Sequence, residues 1–370
     1  MPAEPPEANV RDDYRYVLEL FRTNGEAVGQ VTLTPDWEPA IECARFAGLR
    51  AFGTWATQPG AERQVEPLWH DEIGEPYVRA FRVHFEATHA PAWYEDFPAT
   101  MYFGESARTA TAELVESGTL TKGDRVVYRV AAFAHPTPEP GLRPSAFDSV
   151  DTTPALAVRP TSISALLATA VQCADRVTHD TEVLLPQWAV DEASTLTRGA
   201  GARETGGILI GHLHRDPVTR EFLLEVTAQI PARHTTGDAV KLTFTSDTWT
   251  DVRNTIALRR RDEMMLGWWH SHPAIEWCKD CSLESQRVCH LASGFLSAED
   301  KALHRAMFPR AFSIALVMTH TVAGVGATLF GWRSGLLEKR GFHLLGAEHH
   351  EQDDTDDIVT GGEHAAPTPG

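Results

Sequence analysis

One short stretch of the sequence, GWWHSHPAIEWCKDCSLESQRVCH at residues 267–290, carries two histidines that flank a serine and then three cysteines. His270 and His272 end an apolar run that predicts a strand, and alternate residues of a strand share a face. Both imidazoles are therefore expected to reach one metal ion, with Pro273 ending the strand beside it. The spacing alone is weak evidence, because a histidine pair near a strand end also forms an ordinary polar rim.

A carboxylate follows the histidines in the segment SAEDKALHRAMF, where Ser297 precedes Asp300 by three residues. This pattern predicts a capping box, with the serine as the N-cap residue of a helix. It also places Asp300 in the first helical turn as a candidate third ligand, and the two interpretations are compatible. Two histidines, one aspartate and one open position describe a catalytic zinc site rather than a structural one.

A catalytic zinc site also needs a carboxylate that takes a proton from water and passes it on. Glu204, in the segment RETGGILIG, directly precedes a glycine-led apolar strand and is the best candidate in the sequence. The alternative interpretation is an exposed acidic loop residue, and the local pattern alone favours that alternative.

The cysteines Cys278, Cys281 and Cys289 form a second candidate metal site. The C-x-x-C spacing is typical of zinc knuckles, and Cys289 or His290 would complete a Cys₃His structural zinc site. Because those two residues are adjacent, ligation of one ion by both would strain the chain, and His304 is an alternative fourth ligand. A redox-active pair and free thiols beneath a lid are further alternatives.

The elements that must position these residues indicate a mixed α/β domain over residues 178–345, with an insert at 274–296. Apolar runs bounded by turn signals predict buried strands at GGILIGHLH, EFLLEVTAQI, MMLGWWHSHP and AFSIALVMTHT. Amphipathic patterns predict helices at QWAVDEASTLTRGAG, SDTWTDVRNTIALRRRDE and LSAEDKALHRAMFP. A strand end and a helix start are therefore expected to meet at the metal.

The residues before this domain indicate a smaller α+β domain over 14–134, in which alternating runs predict strands and two further stretches predict helices. Residues 135–177 are predicted to form a Pro-rich linker and then a helix at SALLATAVQCADRV. Residues 1–13 and the acidic tail 346–370 have compositions typical of disordered segments.

The overall composition restricts the kinds of partner that the protein is expected to bind. A net charge of −18 disfavours nucleic acid, because phosphate contacts need clustered Lys and Arg. No apolar run approaches the roughly 20 residues of a membrane helix, and the polar start has no secretory-signal pattern. A cytoplasmic protein without a membrane partner is therefore expected. Five cysteines do not make a disulfide scaffold, and Cys43 and Cys173 are predicted to be core residues on helices.

The motifs together resemble the signature of the JAB/JAMM metalloproteases, the catalytic MPN-plus domains. ETGGILIG, HSHP and the Ser-x-x-Asp of SAED occur in the family's order, within a region that covers under half of the chain. The resemblance implies a curved mixed β-sheet flanked by helices. It also implies hydrolysis of an isopeptide or peptide bond after the C-terminal glycine of ubiquitin or a ubiquitin-like modifier. The cysteine-rich insert departs from the family's simplest members, and the compact arrangement resembles a bacterial type.

The resemblance also assigns roles to individual residues. It implies that His270, His272 and Asp300 bind a catalytic zinc ion. It makes Glu204 the general acid/base and Ser297 the side chain that stabilises the tetrahedral intermediate. Some relatives carry a second zinc in an insert beyond the active site, which supports a structural zinc at the cysteines.

The resulting hypothesis is a zinc isopeptidase that processes a ubiquitin-like precursor or strips the modifier from its conjugates. Its expected partners are the modifier, its conjugates, and the activating or conjugating enzymes of the same pathway. One alternative is a hydrolase that releases an amino acid or small peptide from a sulfur-carrier protein. Another is a noncatalytic interaction module that its metals stabilise. His212 and His214 repeat the two-residue spacing where the family has no ligand, so they are interpreted as structural.

Overall fold

The computed structural model describes residues 10–11, 14–53, 62–70, 76–86, 92–134, 156–177, 180–232, 235–238, 241–282, 284–285 and 289–346. The predicted disordered start and acidic tail lie almost entirely outside this part of the chain, as does most of the Pro-rich linker.

The N-terminal part is an α+β unit. Its elements are β1 (Val10–Arg11), β2 (Tyr14–Arg22), β3 (Ala27–Leu33), α1 (Glu38–Phe52), β4 (Glu62–Trp69), β5 (Val78–Glu86), β6 (Trp93–Pro98), α2 (Ala99–Tyr102), α3 (Gly104–Glu116) and β7 (Val126–Ala134).

Two small sheets hold the N-terminal unit together, one in the order β1-β4-β5-β6 and the other in the order β3-β2-β7. Alternation along β2 places Tyr16, Leu18 and Leu20 on one face, where all three are buried. Tyr16 packs edge-on against Trp37 and Phe81, with ring centroids 5.4 Å and 5.3 Å away. The core of this unit therefore joins both sheets to the start of α1.

The C-terminal part contains the strands that carry the candidate site. Its elements are β8 (Val158–Pro160), α4 (Ile163–Leu167), β9 (Ala170–Cys173), β10 (Glu182–Pro186), α5 (Gln187–Ala200), β11 (Gly206–Arg215), β12 (Phe222–Pro231), β13 (Thr235–Asp238), β14 (Lys241–Phe244), α6 (Ser246–Arg259), β15 (Met264–His272), α7 (Ala274–Trp277), α8 (Ala298–Met307), β16 (Ile314–Thr321), β17 (Gly324–Arg333), β18 (Leu336–Arg340) and β19 (Phe342–Leu345).

A large mixed sheet has the order β18-β17-β16-β15-β11-β12-β10-β19-β9, and β8 pairs with the end of β11. β15 pairs antiparallel with β11 and parallel with β16, so both of its backbone edges are hydrogen-bonded. The parallel pairs β10–β12 and β10–β19 lie further along the same sheet. The prediction of a mixed, helix-flanked sheet after a smaller α+β region is confirmed.

Helices cover both faces of this sheet, as its continuous apolar strands require. On one face, Leu209 and Trp269 lie in a core with residues of α1 and α5. On the other face, Ile208 and Trp268 lie in a second core with Val252 of α6. β15 therefore sits between two buried layers that fix its alternate side chains.

The segment before β10 differs from the sequence-based prediction. The predicted helix SALLATAVQCADRV is a short helix, α4, followed by strand β9. Cys173 was predicted on a helix but lies at the end of β9, half-buried, whereas Cys43 lies on α1 as predicted. The helix prediction is wrong here because β9 pairs with β19, a partner 170 residues away that no local pattern reveals.

The two parts of the chain share a buried contact. Phe46 of α1 packs against Phe222 of β12, with ring centroids 4.8 Å apart. The buried carboxylate of Glu42 forms ion pairs with Arg45 of its own helix and with Arg310 of the C-terminal part. α1 therefore belongs structurally to both units.

Candidate metal centre

β15 brings the two predicted histidine ligands to the same point. His270 and His272 are its last alternate residues, so both imidazoles lie on the face that also carries Trp268. Both side chains are buried, and their Nε2 atoms are 3.0 Å apart. The strand end therefore presents two nitrogen ligands side by side.

The start of α8 supplies the carboxylate. Asp300 Oδ2 lies 3.4 Å from His270 Nε2 and 3.9 Å from His272 Nε2. The predicted capping box is present: the Ser297 amide donates to Asp300 Oδ2 at 2.8 Å, and the Asp300 amide donates to Ser297 Oγ at 3.1 Å. The cap therefore fixes the carboxylate that faces the histidines.

This group has the dimensions and the protonation state that a metal ion needs. Its ligand atoms lie within 4.8 Å of one another, and it is the one such group among the described residues. Nitrogen and oxygen ligands in a zinc tetrahedron would be about 3.4 Å apart. Burial lowers the pKa of His272, which favours its neutral, ligating form. Burial alone would raise the pKa of Asp300, but hydrogen bonds from His270 and His272 outweigh it and lower that pKa, which favours the carboxylate.

Aromatic side chains orient both imidazoles. Trp268 stacks on His270 at 4.5 Å and 13°. Trp277 and Phe295 lie against His272, with ring centroids 5.1 Å and 4.6 Å from it. Among the described residues, neither Nδ1 atom has a hydrogen-bond partner, so stacking does the work that outer hydrogen bonds do in many metal sites.

His304 orients Trp268 and lies behind the ligands. The indole Nε1 of Trp268 donates to His304 Nδ1 at 3.0 Å. Burial lowers the pKa of His304 to about 3, so the ring is neutral. Its Nδ1 lone pair is therefore already used in the core, which counts against His304 as the fourth ligand of a cysteine site.

Glu204 precedes the strand that pairs with the histidine strand. Gly206 lies opposite His270, and the next pair is joined by the Thr205 amide to Ser271 Oγ at 2.9 Å and by the Ser271 amide to Thr205 O at 2.8 Å. Continuing this register puts Glu204 opposite His272, on the same face. Glu204 is half-buried, and this register brings its backbone to the strand end that carries the metal-capable group.

Cys278 and Cys289 approach each other after the same strand end, but the three thiols together do not form a metal-capable group among the described residues. Cys278 Sγ is 3.7 Å from Cys289 Sγ. Burial raises the pKa of Cys278 to about 11, with smaller contributions from the thiols of Cys289 and Cys281. Cys281 is exposed, and its amide donates to the Cys278 carbonyl at 2.9 Å. The side chain of His290 lies outside the described residues.

The second histidine pair lies elsewhere, towards the other end of β11. His214 Nδ1 is 2.8 Å from Thr161 Oγ1, and its Nε2 is 2.8 Å from Glu225 Oε2. Burial lowers the pKa of His212, which stands beside it. These contacts connect β8, β11 and β12 and use both ring nitrogens of His214.

Sequence reasoning missed the aromatic side chains around the candidate ligands, Trp268, Trp277 and Phe295. It named His304 only as an alternative fourth ligand of the cysteine site, and not as the hydrogen-bond partner of Trp268. The only local signal was the density of aromatic residues around HSHP, in GWWHSHP and AIEW. The pattern does not distinguish Trp268, whose ring stacks on a candidate ligand, from Trp269, whose ring fills the core.

The family comparison agrees with this geometry. The family model described as JAB1/Mov34/MPN/PAD-1 ubiquitin protease matches residues 163–291. Over these residues, about a third of the chain, the sequence is similar to JAB/MPN domains. The match includes Glu204, both candidate histidine ligands and the three cysteines Cys278, Cys281 and Cys289, and it ends before Ser297 and Asp300. The JAB/MPN domain family includes hydrolases as well as members that act only as interaction modules.

Other comparisons add little. A solution structure of a protein from Desulfitobacterium hafniense is 21% identical in sequence, with a TM-score of 0.30, and the match covers 45% of this chain and 97% of that chain. No curated protein matches the sequence. Within the described residues, every helix is too short or too polar to cross a bilayer.

Proposed function

We propose that this protein is a zinc hydrolase that cleaves the bond after the C-terminal glycine of a ubiquitin-like modifier. The observation that carries the proposal is the convergence of His270, His272 and Asp300 at the end of β15 in a JAB/MPN domain. Two nitrogens, one carboxylate oxygen and an open position are the ligand set of hydrolytic zinc sites. The family description as a ubiquitin protease supports the substrate class.

The protein side chains divide the work of hydrolysis. Zinc, when bound, lowers the pKa of water to about 7 and polarises the scissile carbonyl. Glu204 takes a proton from the attacking water and gives it to the departing amine, a lysine side chain or the α-amine of a C-terminal extension, as the carbon–nitrogen bond breaks. Ser297 Oγ already accepts from the Asp300 amide and still has a hydroxyl hydrogen to donate to the developing oxyanion.

A second, structural zinc at the cysteines is part of the proposal. In a zinc tetrahedron with sulfur ligands at about 2.3 Å, neighbouring sulfurs would be about 3.8 Å apart. The sulfurs of Cys278 and Cys289 have nearly that separation, and Cys281 follows at knuckle spacing. Zinc would convert the buried, high-pKa thiol of Cys278 into a thiolate and so fix the loop next to the active site.

The first test compares Glu204→Gln with Asp300→Ala. For the wild type we expect about two zinc ions per chain and cleavage of a ubiquitin-like protein extended beyond its terminal glycine. Glu204→Gln should keep both zinc ions and lose at least about a hundredfold in rate, because the proton acceptor is gone. Asp300→Ala should lose one zinc ion together with activity. Elemental analysis and gel-based cleavage measure these outcomes.

A matched control is Glu225→Gln, which alters another half-buried carboxylate on the same sheet but outside the metal-capable group. It should retain both zinc ions and activity. Zinc content that Asp300→Ala does not change would contradict the catalytic site. Full cleavage by Glu204→Gln would instead show that another group accepts the proton, whereas no cleavage by the wild type or the variant would favour an interaction module.

A further inference from the structure

Two aromatic side chains stand at the metal-capable group without a role in ligation or proton transfer. Trp277 ends α7, and Phe295 lies in the segment that leads to α8. Their ring centroids are 6.3 Å apart, and each lies against the His272 imidazole. We call Trp277 and Phe295 the aromatic wall.

The aromatic wall covers one side of the ligands and faces outwards at the same time. The opposite ligand, His270, is covered by the fully buried indole of Trp268. Trp277 and Phe295 are only half-buried. Both rings therefore contact His272 and remain partly open to solvent, so a chain that approaches the metal-capable group can contact them.

The backbone on both sides of the wall is fixed. After Trp277, the chain continues into Cys278, which is 2% exposed and whose amide donates to Ala274 O at 2.9 Å. Before Phe295, Gly294 has φ = +64°, and a Cβ there would lie 2.4 Å from Thr328 Oγ1. The backbone next to each ring is thus restrained, by the buried Cys278 after Trp277 and by the crowded Gly294 before Phe295.

A flat aromatic surface at this position selects for a particular substrate backbone. Extended chain without a side chain can lie directly on aromatic rings, whereas a Cβ directed at the rings holds the carbonyl away from the metal. A misplacement of about 1 Å at the reacting carbon costs about a hundredfold in rate.

We propose that Trp277 and Phe295 form the acyl-side specificity wall, which excludes any residue with a side chain next to the scissile carbonyl. The inference rests on the proposed function, because it assigns the wall to the acyl side of a hydrolysed bond. It concerns residues of the insert that neither bind metal nor transfer protons. The substrate class is a chain that ends in glycine.

A binding measurement tests the wall without turnover. The full-length protein is loaded with Co²⁺, and its visible absorption is titrated with glycine hydroxamate and with L-leucine hydroxamate. Each hydroxamate chelates the metal and places its own side chain at the acyl position. We expect the wild type to bind glycine hydroxamate at least about tenfold more tightly. Trp277→Ala and Phe295→Ala should reduce the ratio to below about threefold, mainly by tighter binding of leucine hydroxamate.

Control variants separate selectivity from folding. Trp188→Ala removes a tryptophan that is 52% exposed on α5, and it should keep the wild-type ratio. If Trp277→Ala does not fold, Trp277→Phe takes its place in the test. This variant retains a ring and should give a ratio between those expected for the wild type and for the alanine variant. Cobalt per chain should equal that of the wild type in every folded variant.

The outcomes distinguish the wall from the proposed hydrolase. An unchanged ratio in the folded Trp277 and Phe295 variants overturns the wall even if the wild type cleaves glycine-terminated substrates. A wild type with the expected ratio but no cleavage overturns the hydrolase and leaves a glycine-selective binding site. A wild type that binds no cobalt at the His270 group contradicts both.

Discussion

At the scale of single residues, His304 links the solution pH to the ligand geometry. The ring is fully buried, and its Nδ1 accepts the hydrogen bond of Trp268, whose indole stacks on His270. Protonation would remove that acceptor and place a charge in an apolar core. The folded protein therefore keeps His304 neutral, with a pKa of about 3.

This depressed pKa gives the protein a defined pH dependence. The unfolded chain binds a proton at about pH 6.5, whereas the folded chain binds it at about pH 3. Between those values the unfolded state holds more protons, so the free energy of unfolding falls as the pH falls, by up to about 1.4 kcal/mol per pH unit. The contribution of this group is constant above about pH 6.5.

His304→Asn tests the assignment. The variant keeps an acceptor near the Trp268 indole but does not titrate, and the smaller side chain costs about 1–3 kcal/mol at pH 7.5. Urea unfolding between pH 4.5 and 7.5 should show a shallower loss of stability with acid than in the wild type. Equal slopes in the two proteins would show that another group carries the pH dependence.

The candidate ligands could be predicted from the sequence because their types and spacing express local rules. Alternation in a strand puts His270 beside His272, and a capping box aims Asp300. Their aromatic supports could not be predicted, since Trp268 and Trp269 are neighbours of the same type that enter different cores. Which of the two rings contacts a candidate ligand depends on which face of β15 it lies on, and on packing against α8, which begins 30 residues after Trp268.

At the scale of elements, the close approach of β15 and β16 depends on Gly267. This glycine lies opposite Ile314 in the parallel pair, and a Cβ at its position would be 1.9 Å from the Ile314 carbonyl oxygen. The Ile314 carbonyl oxygen belongs to the backbone of β16, so it cannot move aside as the end of a flexible side chain can. β15 can therefore hold its position, and with it His270 and His272, only with glycine there.

Gly267→Ala should separate β15 from β16, lower the free energy of unfolding by about 3 kcal/mol or more, and reduce metal content. Gly199→Ala is the matched control, because Gly199 lies in α5 with no atom within 4 Å of an added Cβ. That change should stabilise the helix by up to about 1 kcal/mol. Urea unfolding and elemental analysis measure both effects, and a harmless Gly267→Ala would contradict the crowded pairing.

Element prediction succeeded where the pattern was long and periodic and failed where pairing was remote. The strands around HSHP and the capped helix α8 form as expected from apolar runs and the Ser297 cap. β9 is only four residues long, and the residues shortly before it in the chain form the helix α4. Its strand state comes from β19, so the local sequence could not indicate it.

At the scale of the whole molecule, the N-terminal unit is bound to the helix that carries Asp300. Glu105 of α3 pairs with Lys301 at 2.8 Å and with Arg305 at 3.7 Å, both on α8. These partly exposed pairs connect α3 to α8 but contribute little stability. The buried contact of Glu42 with Arg45 and Arg310 is the stronger link.

Glu42→Gln should lower the free energy of unfolding by about 3 kcal/mol, because it leaves two partly buried guanidinium groups without their carboxylate. Glu26→Gln removes an exposed partner of Arg22 and should cost less than about 1 kcal/mol. Urea unfolding followed by tryptophan fluorescence, which reports on both units, measures the difference. A loss as small as that of Glu26→Gln would show that the two units do not depend on this ion pair.

The antiparallel ladder of β9 along β19 has a consequence for how this domain can be exchanged between proteins. A gene fragment that begins at β10 would encode the candidate metal ligands and Glu204 but would lack β9. The edge of β19 would then be unpaired, and its amides and carbonyls would be available to pair with a strand of another chain. Recombination that moves this module intact must therefore take the upstream segment with it. The segment that must be inherited together is therefore longer than the segment that carries the metal-capable group and Glu204.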